Sequence, residues 1–188
     1  MDEIIQSLRK SGRAAFRTRE YAALLGKKGY ARLALHRLKM RGEIISVRNG
    51  WWAFPDSMPE AIACGMSNPC YVSFHSALAL HGLTSQAPRT IQLAVARKAK
   101  KYLVNGLEAR EYRVKSFGGF QRKDALLLAS PEKAVADSLN TPRACPDIVL
   151  AEAMHAIDKE AVGGMLDTDA AKKRLKRLIR HVEQERTG

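Results

Sequence analysis

The chain has 188 residues, 46% hydrophobic and 27% charged, a composition that supports a folded core and excludes a low-complexity protein. Thirty-two Lys and Arg against nineteen Asp and Glu give a net charge of +13, which favours a polyanionic partner such as nucleic acid. No apolar run reaches membrane-span length, Met1-Asp2-Glu3 is unlike a secretory signal, and the odd set Cys64, Cys70 and Cys145 lacks a C-x-x-C pair. These features predict a cytoplasmic protein with reduced thiols and exclude a disulfide framework or a structural zinc site.

The first predicted helix covers residues 2–10, with Ile4, Ile5 and Leu8 on one stripe, acids at its start and bases at its end. Gly12 stops it. Thr18 is placed to cap a second helix, Arg19 to Leu25, ended by Gly26. A third helix is expected from Lys28 to Arg41, stopped at Gly42. EIISVRNGWWAF then reads as a hairpin: Ile44, Ile45 and Val47 lead in, Asn49-Gly50 suits a type I′ turn, and Trp51, Trp52 and Phe54 return. Three helices followed by a hairpin is the order of a winged helix-turn-helix, here assigned to residues 1–55.

Pro55, Pro59 and Pro69 bracket a segment, 56–70, that reads as a linker with a short helix. Residues 71–188 read as a second, mixed domain. Ser73 is expected to cap a helix ending at Gly82, strands are expected at 90–97, 107–114 and 126–128, and Pro131 starts a helix. Two more helices are expected, at 147–158 and 168–185. Strands and helices do not alternate regularly enough for a doubly wound sheet, so the fold class is α+β.

The charge is concentrated at one end. Residues 1–55 hold twelve Lys and Arg and four acids, +8 of the total +13. With Ala31, Leu35 and Leu38 setting the core side of the third helix, Gly29, Arg32, Leu33, His36, Arg37 and Met40 fall on the opposite side. A helix in the major groove reads bases from such a face: Arg32 and Arg37 offer forked donors, Leu33 an apolar contact for a thymine methyl, and His36 a donor or acceptor. Lys27 and Lys28 are expected near the sugar–phosphate backbone. Arg48 and Asn49 are expected at the wing tip, against phosphate or the minor groove.

The pattern Leu35, Leu38, Gly42, Gly50 and Trp52, with YVSFHSALALHGL (71–83) and SPEKAVADSL (130–139), resembles the AbiEi-type antitoxins of type IV toxin–antitoxin systems. Taken in order, these segments span most of the chain. The resemblance implies a winged helix that binds inverted repeats in its own promoter and represses it. It also implies a second domain that opposes a nucleotidyltransferase-like toxin, with or without direct contact. Trp51-Trp52 departs from the family pattern, which often has a small residue before a single aromatic.

Catalytic readings are weaker. Ser73, His75, Ser76 and His81 are read as structural, and neither a G-x-S-x-G elbow nor an H-E-x-x-H pair is present. Glu132-Lys133, with Asp124 or Asp137, resembles a nuclease acid–lysine set. However, adjacent helical residues point roughly 100° apart, and acid in a first turn complements the helix dipole. The expectation is therefore a non-enzyme without cofactor or metal. The alternatives are a winged-helix adaptor for protein or RNA, or a small nuclease. Near the C-terminus, Leu175, Leu178, Ile179 and Val182 form a stripe. Lys172, Lys173, Arg174, Lys176, Arg177 and Arg180 make a second basic surface, either a polyanion contact or the wet side of a docked helix.

Overall fold

The computed structural model describes residues 2–187, without the side chains of residues 28 and 185–187. Helix α1 (Glu3–Lys10) begins at Asp2, whose carboxylate accepts from the amides of Ile4 (3.0 Å) and Ile5 (3.2 Å). Such a cap satisfies donors that the first turn leaves free and contributes about 1 kcal/mol. Strand β1 (Ala15–Arg17) runs directly into α2 (Thr18–Leu25). Thr18 does not cap α2 but is its first residue. The cap position is Arg17, whose amide donates to Glu20 Oε2 at 2.6 Å. Gly26, at φ 70°, ends α2, and α3 (Lys28–Met40) follows. Strands β2 (Ile45–Arg48) and β3 (Trp51–Ala53) form the hairpin, and β1 pairs antiparallel with β3 to give a three-stranded sheet, β1-β3-β2.

The hairpin turn differs from expectation. A type I′ turn needs positive φ at both central residues. Gly50 has it, at 75°, but Asn49 does not, and the register slips by one residue at Val47. The extra residue of such a bulge bends the strand and deepens its twist.

Residues 56–70 do not behave as a linker. Their helix, α4 (Pro59–Met66), buries Ala61, Ile62, Ala63 and Cys64 between β1 and the larger sheet. The chain continues through β4 (Tyr71–Val72), α5 (Phe74–Leu80), β5 (Ile91–Val95), β6 (Lys101–Val104), β7 (Leu107–Arg113), β8 (Phe120–Lys123) and β9 (Leu126–Ala129). Helices α6 (Pro131–Asn140), α7 (Asp147–Ala153), α8 (Lys159–Gly164) and α9 (Asp169–Thr187) complete it. The expected strands correspond to β5, β7 and β9, whereas β1, β4, β6 and β8 were not anticipated, and the helix expected at 147–158 stops at Ala153. Asn105 (φ 49°) and Gly106 (φ 83°), between β6 and β7, are both left-handed, as a type I′ pair requires.

The second sheet has the order β6-β7-β5-β4-β9-β8, with β5–β7 and β4–β9 parallel and the other pairs antiparallel. Every residue of β5 is buried, because the sheet is covered on both faces at its centre. Mixed pairing with helices grouped at the end of the chain makes the fold α+β.

Two apolar clusters organise the molecule. The smaller joins Ile5, Leu8, Phe16, Tyr21, Leu35, Leu38, Ile44 and Phe54, and the larger fills the rest of the chain. The three-stranded sheet separates them. Phe16 and Trp52 face the smaller cluster, while Ala15, Ala53, Ile45, Val47 and Trp51 face the larger. This alternation is the period-two rule of a strand, applied to a sheet with an apolar cluster on each side, although Ser46 and Arg48 of β2 remain exposed.

Candidate nucleic-acid interface

Helix α3 is held by its small and apolar side. Ala31, Ala34, Leu35 and Leu38 are buried in the smaller cluster, a spacing of three and four residues that turns the rest of the helix outward. Gly29, Arg32, Leu33, His36, Arg37 and Met40 are all exposed, as the spacing predicts. Leu33 keeps 45% of its surface and Met40 73%, so apolar groups stand among the bases of this face. From residue 26 to residue 42 the chain has six Lys and Arg and no acid, so nothing on this stretch offsets its positive field.

Arg37 Nη1 donates to the Tyr30 hydroxyl at 2.8 Å, and its guanidinium lies 5.8 Å from the Tyr30 ring centre. Tyr30, 43% exposed, thus orients Arg37 on the outer face, a partner that spacing alone did not single out. The side chains of Arg32 and His36 make no hydrogen bond among the described residues. Lys27, exposed, is the N-cap residue of α3 and gives no side-chain cap. The side chain of Lys28 lies outside the described residues.

The β2–β3 turn stands beside the start of α2. The Thr18 amide donates to Gly50 O at 3.0 Å, and Trp52 Nε1 donates to Thr18 Oγ1 at 2.9 Å. Arg17 lies over the Trp51 ring, 4.5 Å from its centre. These contacts place exposed Arg48 and Asn49 on the turn next to Arg17 and exposed Arg19. Arg17 and Arg19 add to the charge of the segment, and helical spacing alone assigns them no place at this turn. Only the unanticipated β1 brings them to the turn. The adjacent tryptophans divide as their alternation requires, Trp52 toward the smaller cluster and Trp51 toward the larger.

The second basic surface is only partly free. Leu175, Leu178 and Val182 are buried and Ile179 is half-buried, docking α9 onto α6 and α7. Arg174 turns inward: Nε donates to Asp147 Oδ1 (2.7 Å), Nη1 to Ser138 O (2.8 Å) and Nη2 to Cys145 O (3.0 Å). Arg174 is therefore a structural tie rather than part of a contact surface. Arg177 also pairs with Asp147, at 3.2 Å, whereas Lys172, Lys173, Lys176 and Arg180 are exposed.

The residues that invited catalytic readings are occupied in packing. Ser73 occupies the cap position of α5 but does not cap it; its Oγ donates to Asp137 Oδ2 at 2.7 Å. Tyr71 OH donates to the same oxygen at 2.9 Å, and Lys133 Nζ donates to Asp137 Oδ1 (2.7 Å) and Ser116 O (3.0 Å). Burial pushes the Asp137 carboxyl up, against the pull of Lys133, Ser73 and Tyr71. His75 Nε2 lies 2.9 Å from Gln86 O, Ser76 Oγ donates to Thr90 O at 3.1 Å, and His81 Nε2 lies 2.8 Å from Ala129 O. Glu132 is half-buried outside this network and Asp124 is exposed at the β8–β9 turn. Among the described residues no three His, Cys, Asp or Glu are placed to hold a metal ion. Among the same residues no helix is long and apolar enough to cross a membrane.

No family model and no curated protein matches this sequence. Among solved structures, the chain is similar to that of the RV2827C protein from Mycobacterium tuberculosis, with a TM-score of 0.63 and 16% identity over 94% of this chain and 75% of that one. At that identity the likeness speaks for the fold.

Proposed function

We propose that this protein is a DNA-binding transcriptional regulator whose residues 1–55 form a winged helix-turn-helix. Helix α3 is its recognition helix and the β2–β3 turn its wing. The observation that carries this reading is the outer face of α3, where Arg32, Leu33, His36 and Arg37 are exposed together with no acid among them. Forked donors and an apolar side chain on one exposed helix face suit the base edges of a major groove. Lys27 at the start of α3, with Arg17, Arg19, Arg48 and Asn49 around the β2–β3 turn, suits phosphate and the minor groove.

The resemblance of residues 71–83 and 130–139 to AbiEi-type antitoxins extends the proposal. The protein represses its own promoter at inverted repeats and opposes a nucleotidyltransferase-like toxin. Fluorescence anisotropy on the DNA upstream of its own reading frame, beside a scrambled duplex and across salt, tests the first part. Preference for the upstream duplex supports it, and equal, salt-sensitive binding to both overturns it. Co-expression with a nucleotidyltransferase-like protein from the adjacent reading frame tests the second. Restored growth supports the antitoxin role, and unrelieved toxicity overturns it.

A further inference from the structure

Cys64, near the end of α4, and Cys70, just before β4, place their sulfurs 2.9 Å apart. Each thiol also lies against the other's carbonyl: Cys64 Sγ is 3.3 Å from Cys70 O, and Cys70 Sγ is 3.4 Å from Cys64 O. The turn between them is firmly held. Ser67 Oγ donates to Glu111 Oε1 at 2.5 Å, and Arg97 donates to Ser67 Oγ at 2.7 Å and to both Glu111 oxygens. The sulfurs are thus held in contact, within a short movement of the ~2.05 Å of a disulfide bond.

Both cysteines line a cleft of about 410 Å3 beside the larger apolar cluster, and Arg13, Arg17, Arg19, Glu20 and Arg122 are its charged lining residues. Cys64 is 7% exposed and Cys70 1%, so a small reagent entering the cleft meets Cys64 first. Cys145 does not line this cleft; it is buried beside Arg174, and its thiol is pushed up to about 12, chiefly by burial.

We propose that Cys64 and Cys70 form a redox-active dithiol, which hydroperoxides entering this cleft oxidise to an intramolecular disulfide. The Cys64 thiolate attacks the peroxide oxygen. An S–O bond forms, the O–O bond breaks, and the departing alkoxide takes up a proton to leave as alcohol, or as water from hydrogen peroxide. The Cys70 sulfur then attacks the Cys64 sulfenic acid, the S–S bond forms, and hydroxide leaves with the Cys70 proton as water. Two thiols lose two electrons, and the peroxide gains them. The hydrogen bond from Cys70 holds the Cys64 thiol down against the opposing effect of burial, and the Arg122 charge adds to it, while Cys70 is pushed up. The greater exposure of Cys64 to the cleft, in the same sense as that asymmetry, makes Cys64 the attacking sulfur and Cys70 the resolving one.

The test is to treat the full-length protein with hydrogen peroxide, then measure its intact mass and count its thiols in denaturant. The expected result is a mass loss of two hydrogens with thiols falling from three to one, and Cys145 as the survivor. Cys70→Ser should stop at a Cys64 sulfenic acid that dimedone captures, whereas Cys64→Ser should yield no adduct. Three surviving thiols, oxidation at Cys145 or a disulfide between molecules overturns the proposal. Dimedone labelling of Cys70 in the Cys64→Ser protein overturns the assignment of the attacking sulfur. If either variant fails to fold, the mass and thiol count of the unaltered protein still decide.

Discussion

Lys133 and Asp137, one turn apart on α6, form an ion pair at 2.7 Å with side chains only 5% and 2% exposed. Ser73, Tyr71 and Ser116 supply further hydrogen bonds, so neither charge is left with one partner alone. Pairing of this kind holds α6, β4 and the chain before β8 together.

Removing either partner strands the other in a dry interior. Lys133→Met and Asp137→Ala are each expected to cost about 3–5 kcal/mol, read as a lowered urea midpoint. The double variant is expected to be less destabilised than the sum of the two, because it leaves no orphan charge. Additive losses would show that the pair is not coupled.

Gly119 is the backbone counterpart of this pair. It sits at φ 71°, and a Cβ there would come within 3.0 Å of Lys133 Cγ. Gly119→Ala is expected to cost about 1–2 kcal/mol from the left-handed backbone alone, with the contact adding to it. A thermal melt of the variant checks this, and an unchanged midpoint would contradict the stated conformation.

Glu111 gives the protein an acid limit. Burial alone would raise its carboxyl, but Arg97 and Ser67 outweigh that and hold it below the ordinary 4.5. A lowered carboxylate stabilises the fold above its unfolded value, and that stability is lost as pH falls through the folded value. Glu111→Gln is expected to lower stability at neutral pH by about 1.5–3 kcal/mol. It is also expected to flatten the loss of stability as pH falls below the ordinary carboxylate value of 4.5. Urea midpoints across that range decide the point; parallel curves for both proteins would remove Glu111 from the account.

On the proposed recognition helix, Arg32→Ala and Arg37→Ala are each expected to weaken upstream-DNA binding by about 1–3 kcal/mol and to relax base preference. Lys27→Ala should weaken all duplexes alike and reduce the salt slope by about one. Unchanged affinity and preference in both arginine variants would remove α3 from the interface.

The basic residues of α9 should separate by what they touch. Arg174→Ala breaks hydrogen bonds to Asp147, Ser138 and Cys145 and is expected to cost about 2–4 kcal/mol in unfolding. Lys173→Ala and Lys176→Ala are exposed and should stay within about 0.5 kcal/mol of the unaltered protein. Calorimetry on the three variants makes the comparison.

Local pattern made much of this legible in the sequence. The outward set on α3 follows from the buried positions Ala31, Leu35 and Leu38, since helical period alone fixes which side chains oppose them. Asn105-Gly106 carries a hairpin signal as strong as Asn49-Gly50, and of the two it is the one with the type I′ backbone signs. The prolines around residues 56–70 suggested an exposed connection. Yet Ala61, Ile62, Ala63 and Cys64 are four consecutive apolar residues, and a helix apolar all round is a buried one. What local pattern could not provide was distant partners. Ser73 meets Asp137 across 64 positions, and Arg174 meets Asp147 across 27, so a cap and a surface base became internal ties. The strand β1 is three residues long, too short to carry a period, and its pairing with β3 is what brings Arg17 and Arg19 to the proposed interface.

The three-stranded sheet, which packs one face against the larger apolar cluster, makes residues 1–55 a poor cassette for transplantation. Its inner face is built from Ala15, Ala53, Ile45, Val47 and Trp51, and a Cβ added at Gly65 would meet Ala15 Cβ at 3.3 Å. A foreign head with a larger residue at position 15 would collide with α4, and a head expressed alone would bare an apolar surface to solvent. Testing or altering the proposed DNA contact therefore calls for substitutions on the outside of α3, with the seam left untouched.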